Sequence, residues 1–500
     1  MMDITFKETS NGELACSSNN VRLHSFYNPV KEAQRFAETA ECLFNPSYIL
    51  VTEPCISYCA SFLRKRFPKA KLCCIRFCDG FSDYDKEWDK IFHSNVQDNQ
   101  LNHNLSEDIF NYMGDEGIAA CLFLSWKASD QAFPDISKFS WDEIKKAVVK
   151  SRSILGTRNF FAKRWTKNAL RFSLFTKKTA TIKNGNGDIV ICASGPSLHS
   201  SIECIKKYRE RFFLIAVSSA LSPLVANGII PDLCISTDGG FWAKLHISFA
   251  LNSHDIPLAL PAEGSCFATI MNKTAIIPLY YGDGTSEAIL KEIGFSGLKA
   301  LRNGSVSGTA IQLALSITDG NIYYCGLDLA FSKGFVHTQP NELEINDSRN
   351  DGRLRTTETR ISASVLNKGS IDIYRSWFSS MDFYGRVHRL SNSYRYENSL
   401  GRIPDVDWEY FDRNTLNFSR KQKPEIINTD IRTNDKAIVS KLKEICKKNS
   451  STSEWIHNAV PSEAVVMDRS IGTDSYDEAK KTVEHGMEEF IGDITRAIEK

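Results

Sequence analysis

Six short apolar runs, interrupted by helical stretches, constrain this chain more than any other feature. They are IVICA (189–193), FFLIAV (212–217), DLCIS (232–236), IPLAL (256–260), AIIPL (275–279) and NIYYC (321–325). None alternates apolar with polar residues, which is how a strand covered on both faces reads. The spacing predicts helices between several of them, at 200–210, 219–227, 241–251 and 309–318. Buried strands that alternate with helices require parallel crossovers. The expected fold class is therefore α/β, with a central doubly wound, Rossmann-like and mostly parallel sheet.

The flanking sequence divides the chain further. Residues 1–150 read as an N-terminal α/β domain. Asn28-Pro29 is an N-cap followed by proline at the first helical position, and Phe26, Val30, Ala33, Phe36, Ala40 and Leu43 follow at helical spacing up to Asn45-Pro46. Strands are expected at 48–52, 72–77 and 119–124, a helix at 54–66, and irregular chain at 80–116. Residues 151–180 form a basic helical linker, 181–415 the central domain, and 416–500 a C-terminal helical domain. In that last region 416–434 is polar and rich in Pro, Asn and Lys, and the Ser-rich 448–470 reads as loop. Ile438, Leu442 and Ile445 mark one amphipathic helix, and Ala479, Val483, Met487, Phe490, Ile494 and Ile498 another. Such a pair is either a hairpin packed on the sheet domain or a groove for a partner helix.

Composition narrows the function. With 42% apolar and 24% charged residues the 500-residue chain has a globular balance, and a net charge of +1 provides no bulk field for nucleic acid or an anionic membrane. No apolar run approaches the ~18 residues of a spanning helix, and MMDITFKETSNGELACSS lacks the pattern of a secretory signal. The 14 cysteines are irregularly spaced, and Cys192, Cys234 and Cys325 sit inside apolar runs. Reduced thiols in a cytoplasmic protein are expected. Cys55, Cys59, Cys74 and Cys78 lack the usual zinc-ligand spacing.

Ligands of a doubly wound sheet sit beyond the carboxyl ends of its strands. The segments there are Ser194-Gly195-Pro196-Ser197, then Ser218-Ser219, then Ser236-Thr237-Asp238-Gly239-Gly240, then Gly326-Leu327-Asp328. A second Gly/Ser loop, Gly304-Ser305-Val306-Ser307-Gly308-Thr309, leads into an apolar helix. Free amides at a helix N-terminus favour a phosphate, so the loops at Gly195 and Gly308 are expected to cradle one. Asp238 is placed to hold sugar hydroxyls or to act as a base. Neither a Walker A sequence nor a full G-x-G-x-x-G after a strand is present, which argues against a dinucleotide enzyme. Asp405-Val406-Asp407 has the D-x-D form of a metal–nucleotide clamp, but it falls outside the expected sheet and reads as surface.

Taken together, ICASGPSL (191–198), PDLCISTDGGFWAKLH (231–246), GSVSGTAIQLAL (304–315) and YYCGLDLAFSKGFVH (323–337) resemble the motility-associated factor (Maf) family of bacterial flagellin glycosyltransferases. LHSFYNPVKEAQRFA (23–37) is similar to that family's opening helix, and the resemblance covers about residues 20 to 400. The family's central domain is shared with archaeal hydroxymethylpterin pyrophosphokinase-like proteins. Gly195-Pro196-Ser197-Leu198 and Gly326-Leu327-Asp328 are also distantly similar to bacterial sialyltransferases, which makes the expected sheet sialyltransferase-like. The resemblance implies transfer of a nonulosonic acid, of pseudaminic or legionaminic type, from a CMP-activated donor to Ser or Thr of flagellin, in support of flagellar assembly and motility. It implies no metal and no cofactor beyond the CMP-sugar. Two departures stand out. The sialyltransferase histidine has no counterpart in 360–378, so His337 and Asp238 are the candidate bases, and Ser194 stands where sialyltransferases carry Asn. His246 is expected to pack or cap. Arg349, Arg353, Arg355, Arg360, Arg375, Arg386, Arg389 and Arg395, interleaved with Tyr374, Tyr384, Tyr394 and Tyr396, form a basic insertion that either binds the sugar carboxylate or is a solvated lid. Competing expectations are a pterin diphosphotransferase and a non-catalytic protein that binds flagellin or a nucleotide.

Overall fold

The computed structural model describes residues 4–95, 100–329, 335, 337–364, 369–390, 399–431 and 435–499. Contacts gather them into two units, 1–162 with 452–490, and 163–451 with 491–500. The residues expected as one C-terminal helical domain are therefore shared between the two. The stretch expected as a linker lies inside a single helix, Pro134–Phe175, within which the first boundary falls.

The first unit begins with an antiparallel hairpin of β1 (Ile4–Glu8), β2 (Leu14–Ser18) and β3 (Val21–Arg22). Asn28 then caps the helix Pro29–Thr39, its side chain accepting the Lys31 amide, but that helix stops six residues before Asn45. Next come β4 (Tyr48–Thr52), β5 (Lys71–Arg76), β6 (Lys90–His93) and β7 (Cys121–Ser125), a parallel sheet in the order β6-β5-β4-β7. The segment expected to be irregular holds β6 and the helix Leu105–Ala119. Its polar residues lie on an edge strand and on a helix buried along one side only. Likewise, 448–470 is not loop but the helices Ser453–Ala459 and Pro461–Ser470. Trp455, Ala459, Pro461, Ala464, Val465 and Ser470 are their buried residues, an apolar set broken by polar positions and split between two short helices. The cysteines at 55, 59, 74 and 78 gather into no metal-ligating group among the described residues.

The second unit is built on one sheet. In chain order its strands are β8 (Lys178–Lys183), β9 (Ile189–Cys192), β10 (Phe213–Val217), β11 (Leu233–Ile235), β12 (Leu258–Pro261), β13 (Ala275–Tyr280), β14 (Leu298–Lys299), β15 (Ile322–Cys325), β16 (Val387–Leu390), β17 (Asp405–Val406) and β18 (Glu425–Ile431). Their spatial order is β17-β16-β15-β9-β10-β11-β12-β13-β8-β18, with β14 also against β13. Every pairing is parallel except β18 on β8. The six apolar runs all became strands, and every residue of β9, β10, β11, β12 and β15 is buried. The chain winds outward from β9 to β13, then returns to the far side of β9 with β15, so the order reverses between β9 and β15. That reversal is where an open α/β sheet holds its ligands.

Two corrections concern the sheet's edges. Residues 416–434 were placed in a helical domain, yet β18 within them pairs antiparallel with β8. Asp405-Val406 is not outside the sheet but forms its edge strand β17. Asp405 accepts two bonds from Arg389, Nε to Oδ1 at 2.6 Å and Nη2 to Oδ2 at 2.9 Å. Asp407 caps the helix Trp408–Asn414 by accepting the Tyr410 amide at 2.7 Å. The D-x-D residues are thus occupied structurally.

His457 ties the helix Ser453–Ala459 to the rest of the first unit, with Nδ1 2.7 Å from Glu116 Oε2 and Nε2 3.2 Å from Asp468 Oδ2. Arg158 braces the same carboxylate at 2.8 Å. The hydrogen bond to Glu116, aided by the charges of Glu116 and Asp468, holds the imidazole pKa above its ordinary 6.5 against burial and Arg158. A raised histidine pKa contributes stability that is complete below the unfolded value and is lost as pH rises through the folded one. Unfolding of the first unit is expected to become easier as pH climbs from about 6 through neutrality. In His457→Gln that slope should flatten, a comparison read from urea midpoints at several pH values.

Candidate functional site at the carboxyl rim of the second sheet

Asp328 organises the point where strand order reverses. It follows β15, is only 4% exposed, and reaches across to the loop after β9. The Ser197 amide donates to its Oδ2 at 2.9 Å and the Ser197 hydroxyl to its Oδ1. The Gly195 amide donates to Gly326 O at 2.9 Å. Pro196 has no N–H, and the Leu198 and His199 amides turn back on Gly195 O and Pro196 O. The helix Leu198–Tyr208 thus starts at once. The phosphate cradle expected at Gly195 is absent because the loop spends its amides internally. Burial pushes the Asp328 carboxyl up, while the two bonds from Ser197 and the Arg389 charge oppose that shift.

Glycine at 195 is required by this closure. A Cβ there would lie 2.5 Å from Gly326 O and 2.7 Å from the Asp328 carboxyl. Gly326, at φ +70°, would put one 2.2 Å from Ala193 O.

A strap after β15 crosses the same rim. The Thr338 amide donates to Ser194 O at 2.7 Å, and its hydroxyl to Gly195 O at 2.7 Å. Asn341 caps the helix Glu342–Ser348. Glu342 accepts from Ser222 Oγ at 2.9 Å, Ser248 Oγ at 2.6 Å and the Phe249 amide at 3.0 Å. Beneath the strap Ser194 Oγ meets Ser219 Oγ at 2.7 Å. Ser218 is buried, opening the helix Ser218–Ala226. His337 stands beside His246, ring centres 5.9 Å apart. Burial, then the neighbouring His337, lowers His246 to about 4. Burial also lowers His337, against the pull of Glu344. Both shifts favour the neutral imidazole.

The open part of the rim lies further along. Asp238 is exposed, its Oδ1 accepting the Gly240 amide at 2.7 Å. Thr237, half-buried, precedes it. Tyr374, from the helix Gly369–Ser380, covers Gly304: a Cβ there would be 3.0 Å from the Tyr374 ring. Burial and the nearby Asp238 charge push the Tyr374 phenol up. Ser305 caps the helix Val306–Ile317, its hydroxyl accepting the Gly308 amide at 3.0 Å. Thr309 is buried and donates to Leu301 O. The Gly308 amide is therefore occupied. The Val306 and Ser307 amides belong to the first turn, which no intrahelical carbonyl reaches. Phe241 and Trp242 follow Asp238 as an exposed aromatic pair, 53% and 59% accessible.

Sequence reasoning passed over Glu263, Asp283 and Arg302. Arg302 donates to Glu263 at 2.5 and 2.9 Å and to Asp283 at 2.7 Å, and lies 4.5 Å from the Tyr281 ring centre. Glu263 and Asp283 directly follow β12 and β13, so the strand-end rule that selected Asp238 also points to them. Tyr374 had no such signal. Several arginines of the basic insertion are engaged inside the protein: Arg355 with Asp347, Arg360 with Glu344 and Asp351, Arg375 with Asp372, Arg386 with the carbonyls of Thr318 and Gly320. Arg395, Tyr394 and Tyr396 lie outside the described residues.

Comparisons with known proteins bear on this unit. Residues 163–334 match the family described as MptE-like, 6-hydroxymethylpterin diphosphokinase MptE-like. A Treponema pallidum (strain Nichols) protein, described as uncharacterized, is 30% identical over 326 residues, 64% of this chain and 72% of the relative. A second uncharacterized protein of that strain is 30% identical over 145 residues, 28% of this chain and 63% of the relative. The solved structure of Maf glycosyltransferase from Magnetospirillum magneticum AMB-1 matches with a TM-score of 0.50 at 13% identity, covering 99% of this chain and 92% of that one. At that identity the likeness is one of fold.

Crowding at Gly195 has a measurable consequence. Gly195→Ala forces a Cβ against a backbone carbonyl and a buried carboxylate, so the second unit should lose about 1–3 kcal/mol of stability. The urea midpoint reads this loss with no ligand present.

Proposed function

We propose, for a chain that belongs to one family with the larger-matching Treponema pallidum protein, that it is a glycosyltransferase working at the rim around Asp238. The carrying observation is that the fold likeness to the Maf glycosyltransferase extends over 99% of this chain, both units included. The proposed donor is a CMP-activated nonulosonic acid and the proposed acceptor a Ser or Thr hydroxyl of flagellin. The transfer step is proposed to need no metal, in keeping with the engagement of Asp405 by Arg389 and the capping role of Asp407.

In this reading Asp238 is the general base. It is an exposed carboxylate at a strand end, with Oδ1 oriented by the Gly240 amide. It takes the proton of the acceptor hydroxyl as that oxygen attacks the anomeric carbon, and the bond to the CMP phosphate breaks. The departing phosphate gains negative charge, which preorganised donors stabilise. The amides of Val306 and Ser307, in the first turn of the helix Val306–Ile317, are the donors proposed for this. His337, beside His246, lines the rim and is the second candidate base. Phe241 and Trp242 give the acceptor polypeptide an apolar landing surface next to Asp238.

The match of 163–334 to an MptE-like diphosphokinase favours one second reading, diphosphate transfer from ATP to a hydroxymethylpterin. That chemistry needs a divalent cation.

Asp238→Asn is nearly isosteric, and its loss of a base should lower transfer by about 100- to 10,000-fold while leaving the melting temperature within a degree or two of wild type. Transfer is measured as the mass gain of purified flagellin incubated with a CMP-nonulosonic acid. Wild-type rates in Asp238→Asn would remove Asp238 from the mechanism. Product formed only with ATP, magnesium and a pterin would replace this reading with the second. CMP should also raise the melting temperature, because a ligand that binds only the folded chain stabilises it.

A further inference from the structure

Two thiols and an imidazole meet inside the first unit, and the proposed transfer uses none of them. Cys16 lies on β2, His24 two residues beyond β3, and Cys55 in the loop that leaves β4. Their ligand atoms all lie within 4.8 Å of one another. Cys16 and Cys55 are 0% exposed and His24 is 1% exposed.

Packing alone accounts poorly for this group. A thiol serving as a small hydrophobe sits among aliphatic neighbours. Cys55 Sγ instead has the Ser129 hydroxyl at 3.1 Å and Glu53 O at 3.6 Å. Nδ1 of His24 is buried without a hydrogen-bond partner. The Glu32 carboxylate lies 3.6 Å away, already accepting the Ser25 amide at 2.8 Å. The other ring nitrogen, Nε2, receives only the Ile56 amide, at 3.2 Å. The loop carrying Cys55 is also strained. Glu53, Cys55 and Ser57 have φ of +31°, +52° and +63°, a conformation that non-glycine residues keep only where the surroundings impose it.

We propose that Cys16, His24 and Cys55 bind one zinc ion that ties the N-terminal hairpin to the four-stranded sheet. Two thiolates and an imidazole form a donor set that zinc accepts, whereas magnesium and calcium prefer oxygen. Binding forms two zinc–sulfur bonds and releases the two thiol protons. The charges of two thiolates and the divalent ion cancel, which suits a dry interior where a lone thiolate is costly. With Nδ1–H of His24 facing Glu32, the outer carboxylate arrangement that commonly orients a ligating histidine, zinc takes the Nε2 lone pair by displacing the Ile56 amide that otherwise donates to it at 3.2 Å. The fourth position is left to a non-protein ligand. Cys55 and Ser129 both follow strands flanking the β4/β7 reversal of order, so the ion would close that crevice. The proposal is independent of the transferase reading.

The test uses the full-length chain purified under reducing conditions from zinc-replete medium. Elemental analysis should find about one zinc per chain after dialysis against EDTA, and p-hydroxymercuribenzoate should release it to a metallochromic dye. Cobalt-exchanged protein should show a thiolate-to-cobalt charge-transfer band. Cys16→Ser and Cys55→Ser should each lose the zinc and the band. Cys59→Ser, a buried thiol outside the group, should keep both. Wild-type protein holding less than about a tenth of an equivalent of zinc, with no cobalt–thiolate band, overturns the proposal whether or not the variants fold. Zinc retained in full by both Cys16→Ser and Cys55→Ser overturns it as well.

Discussion

The buried carboxylate of Asp328, held by Ser197 across the reversal of strand order, is the interaction on which the second unit's rim depends. It joins the loop after β9 to the chain after β15, 131 residues apart. A carboxylate taken out of water at this depth is costly unless its oxygens are bonded, and hydrogen bonds to a charged group contribute about 1.5–3 kcal/mol each. Both oxygens are bonded here, and the Arg389 charge stands behind them. The closure has a consequence for chemistry. The Gly195, Ser197, Leu198 and His199 amides at this helix start are spent within the protein, and the rim stays open to solvent further along, at Asp238.

The first unit repeats the solution with different residues. Its order also reverses beside the first strand of its parallel sheet, between β4 and β7. Glu53, 0% exposed, accepts the Phe77 amide at 2.6 Å, the Cys55 amide at 3.2 Å and Arg76 Nη1 at 2.8 Å. Arg76, itself 1% exposed, also bonds Asp85, the Ser57 hydroxyl and Cys55 O. Removing one partner from such a buried set usually costs about 3–5 kcal/mol, because a charge is left uncompensated. The set holds three left-handed residues in place in five positions of chain. In both units an interior carboxylate bonds into the loop that leaves the first strand beside the reversal.

What was legible in the sequence follows from burial. β9, β10, β11, β12, β13 and β15 are covered on both faces and read as apolar runs. β8 (KTATIK) and β18 (EIINTDI) mix polar residues into an edge pairing and were invisible. β16 was hidden by His388 and Arg389, both buried, the arginine acceptable inside only because Asp405 neutralises it. Of the site, the strand-end loops could be found because topology alone designates them. The partnership of Asp328 with Ser197 could not, since nothing local marks a side chain that bonds across 131 positions. Tyr374 reaches Gly304 from an insertion whose composition suggested either a sugar-carboxylate contact through its arginines or a solvated lid, with no signal for this tyrosine. Cys16, His24 and Cys55 escaped because their separations match no short metal motif.

The strap from His337 to Glu342 covers one part of the rim and leaves another open. Thr338 closes over Ser194 and Gly195, and Glu342 binds the helices that follow β10 and β11. Those bonds leave the β9–β10 part of the rim roofed by protein, with Thr338 and Asn341 buried at 6% and 1%. Past the strap, exposure rises sharply at Asp238, Phe241 and Trp242. A carboxylate in reach of solvent, an exposed aromatic pair and the first turn of the helix Val306–Ile317 therefore adjoin on rim that the strap leaves open. In the proposed transfer an acceptor polypeptide would come from that side.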